Sequence, residues 1–289
     1  MSFIAIVLSW LAVQYWGSGG PVQRDGFWFT GYRLFSSIPW AAIRLGLLIL
    51  PPMALLVYGF QVLAPLSFGL PAFALSLLLL LYSLGRGDLQ ADLKHYLGEW
   101  EQGDVQGAYH RACRLSADFQ EEIIEDAAGL HEQVRKVLFY RGLERWFVPV
   151  FWFALLSYWP WAVVAAVLYR VVHLLAHSPK LRAEDRRQCQ ELMELMEWLP
   201  ARLLALSFAL TGRFESAFRS WRHESLSQHS HEEYLAQVGC AALEEGPAQG
   251  LIDGEAYWQQ CTQQLLAIQR MLTRCLVVWI LVFSLIEIL

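Results

Sequence analysis

Charge is scarce in this 289-residue chain: Asp, Glu, Lys and Arg supply 17% of it, hydrophobic residues supply 56%, and tryptophan alone occurs 13 times. That balance lies outside the range of ordinary soluble domains and describes an integral membrane protein with water-facing parts. Basic runs are missing as well. The formal net charge is -5, and no stretch of Lys and Arg is dense enough to track phosphates, so nothing points to nucleic acid. The five cysteines, Cys113, Cys189, Cys240, Cys261 and Cys275, are scattered without a C-x-x-C pair. They indicate neither a zinc knuckle nor a disulfide framework and read as free thiols on a reducing side or in lipid. There is no G-x-x-x-x-G-K-[ST], G-x-G-x-x-G or G-x-S-x-G run, hence no sign of a nucleotide or nucleophile site, and no cofactor is implied.

Long apolar runs are what the chain does contain. Residues 1–16 are apolar without the positive start and small-residue cleavage site of a signal peptide, and read as a retained membrane helix or half-helix. A Gly-rich polar connection, Gly17 to Ser37, carries Arg24 and Arg33. The first span is expected from Ile38 to about Leu63, with Arg44 snorkelling from its end and Pro51-Pro52 kinking it. A second, from Phe68 to Leu84, completes a helical hairpin through Ala64-Pro65-Leu66-Ser67. Phe147 to Ala176 is long enough to span but holds Ser157-Tyr158-Trp159-Pro160-Trp161 in its middle. Proline removes a backbone hydrogen bond there, and flanking tryptophans suit an interface or a protein-buried corner. This segment either crosses once with a kink or re-enters as two short helices. Re-entry puts both long charged loops on one face with Arg24, Arg33 and Arg44, which the positive-inside rule makes cytoplasmic. Met271 to Leu289 is the clearest span.

The loops read as helices. Leu89, Leu93, Tyr96, Leu97 and Trp100 form one apolar face, Gly103-Asp104 breaks and re-caps the chain, and Val105, Ala108, Ala112, Leu115 and Phe119 form the next. Further stripes follow at Ile123, Ala127, Leu130, Val134 and Leu138, then at Leu192, Leu195, Met196 and Leu199. A last one, Trp258, Cys261, Leu265, Ile268 and Leu272, leads into the final span. The expected class is all-α: a polytopic membrane helix bundle with a broken or re-entrant segment and a helical cytoplasmic cap. Its parts are N-terminal membrane helices at 1–85, a cytoplasmic helical hairpin region at 86–146 and the broken segment at 147–176. A cytoplasmic helical region at 177–270, with an embedded short helix near 198–212, and the C-terminal transmembrane helix at 271–289 complete it.

The run Trp198 to Gly212, WLPARLLALSFALTG, is too short to cross a bilayer and apolar apart from Arg202. Its Trp198-x-Pro200-x-Arg202-Leu203 core resembles the W-x-P-x-R-L motif of the AmpE family and of the related cobinamide-phosphate synthases, CobD or CbiB. His95, Gly103-Asp104 and Ala108 resemble the H…G-D…A hairpin of those proteins. Pro149-Val150-Phe151-Trp152 is similar to their P-L-F-[WY], and Tyr169-Arg170 to their aromatic-basic pair. The synthases carry E-N-x-x-D-G before P-L-F and T-L-D-S-M after the broken segment. Here those places read Gly142-Leu143-Glu144-Arg145-Trp146-Phe147-Val148 and Val171-Val172-His173-Leu174-Leu175-Ala176-His177, and only Glu144 stands for a family acid. The resemblance therefore favours AmpE, a non-catalytic signalling or accessory protein of the Gram-negative inner membrane tied to β-lactamase induction and cell-wall recycling.

No catalytic residue is assigned. Glu144, Arg145, Trp152, Arg170, His173, Trp198, Pro200 and Arg202 form a candidate ligand or structural site. In it Pro200 is expected to start an embedded helix, and Arg202 to bond carbonyls freed near Pro160 or a carboxylate such as Glu144. His173 and His177, four apart, face one way, but the sequence shows no third ligand and no metal is assigned. His223, His229 and His231 with Glu232 and Glu233 read as a solvated loop and helix start, and Glu121, Glu122, Glu125 and Asp126 as a first-turn surface face. Expected partners are membrane lipid, a protein engaged through transmembrane or cytoplasmic helices, and a small anionic ligand. Two other classes remain open at this stage: an amide-forming enzyme of cobalamin biosynthesis, and a small-anion transporter.

Overall fold

The computed structural model describes residues 2–16, 25–84, 89–116, 119, 126–156, 160–224, 230–244 and 255–288. Gly17 to Arg24, Glu121, Glu122, Ile123, Glu125, Ser157-Tyr158-Trp159 and His229, to which expectations were attached above, lie outside them. Among the described residues there is no strand. The helices are α1 Ser2–Trp16, α2 Gly26–Leu34, α3 Ala41–Leu63, α4 Leu70–Ser83, α5 Leu89–Glu101, α6 Val105–Leu115, α7 Ala127–Gly142, α8 Val148–Leu155, α9 Trp161–Ala176, α10 Ala183–Thr211, α11 Phe214–Glu224, α12 His231–Leu243 and α13 Glu255–Ile288. A 3-10 turn, Ser67–Gly69, precedes α4, and a π-turn, Leu143–Phe147, joins α7 to α8. The expected all-α class is what the chain adopts. Two stretches, Ala41–Leu63 and Ala256–Ile286, are long and apolar enough to cross a bilayer.

The chain divides into two compact units. The first comprises residues 1–86, 144–200 and 280–289. Within it α1 packs on α4, α4 and α3 pack on α9, and α2 lies against α3. Helices α8 and α9 also pack against one another, so the segment read from Phe147 to Ala176 is two helices folded together, with Pro160 capping the second. Ile43, Leu47, Leu50, Leu55 and Val62 of α3 face outward. Part of the stretch expected to be connection, Gly26–Leu34, is helical because Phe27, Trp28, Phe29, Tyr32 and Leu34 supply an amphipathic turn pattern, with Trp28 and Tyr32 buried.

The second unit comprises residues 87–143 and 201–279. Helices α5 and α6 form the expected hairpin, α7 packs on α6 and α12, and α11 packs on α12. Side chains cap its helices at Asp104, Asp126 and Ser230, which accept hydrogen bonds from the backbone N–H groups of Gly107, Gly129 and Glu233. The Trp258 to Leu272 stripe is confirmed, with Cys261, Leu265, Ile268 and Leu272 buried. At Gly239, added side-chain bulk would lie 2.4 Å from the Phe139 ring, so glycine is what lets α12 approach α7.

Three expectations are corrected. Arg44 does not snorkel: it is fully buried. Its Nε donates to Asp185 Oδ2 at 2.9 Å, and Nη2 donates to Asp185 Oδ1. Asp185 is itself fully buried, so the pair satisfies two charges inside the fold and needs no headgroup region. Pro200 starts no separate helix, because α10 runs uninterrupted from Ala183 to Thr211 with Pro200 inside it. The twenty-nine-residue frame supplies enough other bonds to tolerate one missing donor. Finally, Leu192, Leu195 and Leu199 do not form a covered stripe; they are exposed and only Met196 is buried, since that helix buries the neighbouring line through Asp185, Cys189, Met193 and Met196.

Candidate functional site

The candidate site is built where the chain leaves α7. Pro149 lacks the N–H that would bond the carbonyl of Arg145 in a regular helix, and the backbone accommodates this with the π-turn at Leu143–Phe147. Glu144 lies in that turn and is buried. A carboxylate out of water needs a partner, and α9 supplies one: His173 Nε2 lies 3.0 Å from Glu144 Oε1. One helical turn later, at the C-terminal end of α9, the His177 ring centroid lies 4.5 Å from that of His173, the two rings tilted by 35°. Its Nδ1–H donates to the His173 carbonyl at 3.0 Å. Glu144, His173 and His177 each offer one ligand atom, and these atoms lie within 4.8 Å of one another.

The remaining predicted residues are placed as follows. Arg170 is buried one turn before His173, and its Nη2 donates to Asp25 Oδ2 at 3.4 Å. Asp25 also accepts from Tyr82, whose hydroxyl takes the Trp28 Nε1–H at 2.8 Å. Trp152 is half-buried and donates from Nε1 to the Met196 carbonyl at 3.1 Å. Arg145 is half-buried, Trp198 is exposed and Pro200 is buried. All of these belong to the first unit. Arg202 belongs to the second, where its guanidinium lies over the Tyr234 ring at 5.3 Å from the centroid, a cation–π contact. Its backbone carbonyl accepts from Trp221 Nε1 at 3.2 Å. The structure thus joins Glu144 to His173.

Sequence reasoning missed several buried polar groups of the first unit. Asp25 and Asp185 balance Arg170 and Arg44, Tyr32 donates to Asp185, and Glu197 accepts from Tyr169 at 2.8 Å. Each acid is more than 100 residues, or for Glu197 about a full helix–loop unit, away from its partner in the chain, so no local spacing signals the pairing. One signal was available: a carboxylate four residues before an apolar face, as Asp185 is before Cys189, sits on the buried stripe of its helix. Burial raises the Tyr32 phenol above its usual range, and the Cys189 thiol is pushed up to about 12 by burial first and by Asp185 second. Both stay protonated and unreactive at neutral pH.

Compared with known proteins, residues 32–252 match the family model described as regulatory signalling modulator protein AmpE. No curated protein and no solved structure is similar to the chain. The matched region contains the Glu144–His173 pair, the P-V-F-W run and the W-L-P-A-R-L run, and covers most of the chain, which therefore belongs to the AmpE family.

Proposed function

We propose that this protein is a multi-pass component of the Gram-negative inner membrane that modulates β-lactamase induction during cell-wall recycling, acting through a protein partner and not through catalysis. The AmpE match over residues 32–252 carries this reading. Two helices of spanning length and apolarity support the membrane part. In the first unit, outward-facing leucines on α3 and inward-facing ion pairs suit a hydrocarbon surround. The capped amphipathic helices α6, α7 and α12 of the second unit suit water and supply the cytoplasmic cap through which a partner is engaged.

The deciding experiment is deletion of the gene in its host followed by β-lactam challenge. An altered ratio of induced to basal β-lactamase activity, restored by a plasmid copy, is expected; an unaltered ratio overturns the reading. Topology is checked separately. Reporter fusions after Gln106 and after Gln228 should both report the cytoplasm, with α8 and α9 re-entering together, and opposite sides would establish a single crossing.

A further inference from the structure

We propose that Glu144, His173 and His177 form a binding site for one divalent transition-metal ion of the zinc class. The ligand set is two imidazoles and one carboxylate, contributed by the π-turn and by the C-terminal end of α9. A four-coordinate ion with bonds of about 2.0–2.2 Å places neighbouring ligand atoms roughly 3.3–3.5 Å apart. Glu144 Oε1 and His173 Nε2 already stand at 3.0 Å, and all three ligand atoms are within 4.8 Å of one another. Closure requires the ligand atoms to draw together by about an ångström or more at the widest pair. In the metal-free chain His173 Nε2 and Glu144 Oε1 share one hydrogen bond, and the ion takes the place of the shared proton.

The orientation of His177 supports the assignment. Its Nδ1–H donates to the His173 backbone carbonyl, the outer-shell bond that fixes tautomer and ring plane in metal-bound histidines and leaves the Nε2 lone pair available. Burial is graded across the cluster: Glu144 is buried, His173 half-buried and His177 exposed. An ion can therefore enter past His177, and the fourth position faces solvent, as in three-ligand zinc sites that keep an open position. Two nitrogens and one carboxylate favour zinc, cobalt or nickel over magnesium and calcium, which take oxygen shells. The nearest cation on the same helix face, Arg170, is balanced by Asp25, so its charge is not left unopposed beside the site.

The test uses the full-length chain purified in detergent, stripped with chelator and titrated with Co2+, then with Zn2+. Visible d–d absorption that saturates at one equivalent and is bleached by Zn2+ is expected. His177→Ala, at an exposed position, should retain the helical circular dichroism of the parent and weaken Co2+ binding by about tenfold or more. Glu144→Gln should do the same to binding, and His223→Ala should leave it unchanged. Absence of the absorption at saturating Co2+ overturns the proposal. So does Co2+ binding of unchanged strength in His177→Ala, or its loss in His223→Ala.

Discussion

The two units of this chain differ in how much charge they bury: among the described residues the first encloses six charged side chains besides exposing the Arg187–Glu191 pair, and the second encloses Arg135. In the first, leucine and isoleucine side chains of α3 face outward while Arg44, Asp185, Asp25, Arg170, Glu144 and Glu197 are buried. Helices α2, α3, α4, α8 and α9 have no side-chain cap. In the second, cap-forming Asp104, Asp126 and Ser230 sit at helix starts, and the ion pair Arg111–Glu99 is part-exposed. Under the membrane reading proposed above, the surrounding medium accounts for this contrast. Against hydrocarbon a charge is cheapest inside the protein with its counter-charge, whereas against water an amphipathic helix keeps its charges out and its ends capped.

The sharpest way to break this contrast is to remove one buried charge and one exposed charge. Asp185→Ala strands the buried Arg44 and should destabilise the protein by about 3–5 kcal/mol, whereas Glu99→Gln should cost under about 1 kcal/mol. Unfolding in detergent followed by tryptophan fluorescence measures both, and equal costs would end the distinction between the units.

His131 sharpens the comparison from the other side, because it is a titratable group buried in the second unit. Burial lowers its pKa to about 4, opposed by the bond from Nε2 to Gln264 Oε1 at 2.8 Å. The unfolded chain, with His131 near 6.5, therefore binds a proton that the folded chain does not, and stability rises with pH through this window. Stability from this residue is complete above about pH 6.5 and falls as the pH drops toward 4, by on the order of 3 kcal/mol in full. His131→Gln should flatten the unfolding free energy between those pH values; an unchanged slope would remove His131 as its source.

Packing in the second unit is tested at its glycines. Gly239→Ala puts a methyl against Phe139 and should destabilise by about 1–3 kcal/mol. Gly98→Ala, in α5 with open space at that position, should stabilise by roughly 0.5–1 kcal/mol. Chemical denaturation midpoints decide, and matching signs would show that α12 does not depend on close approach to α7. A comparably small effect is expected at Arg202. Arg202→Lys keeps charge but loses the planar contact with Tyr234 and should cost about 0.5–1 kcal/mol; a loss as large as that of Asp185→Ala would assign Arg202 a structural charge pair of its own.

Helix identity was determined by the sequence, because apolar spacing, caps and run length are local. The α5–α6 hairpin, the Asp126 start of α7, the Trp258 to Leu272 stripe and both long apolar helices follow from residues within a few turns of each other. The family was legible for the same reason, since the P-V-F-W and W-L-P-A-R-L runs are contiguous. What only the tertiary structure decided is which charges meet. Arg44 finds Asp185 across 141 positions and Arg170 finds Asp25 across 145, and no periodicity encodes a contact of that range. Glu144 reaches His173 across 29 positions because Pro149 widens one turn and α8 folds back on α9. The third ligand beside a two-histidine stripe thus arises from chain packing, while the stripe itself is written in the four-residue spacing of His173 and His177.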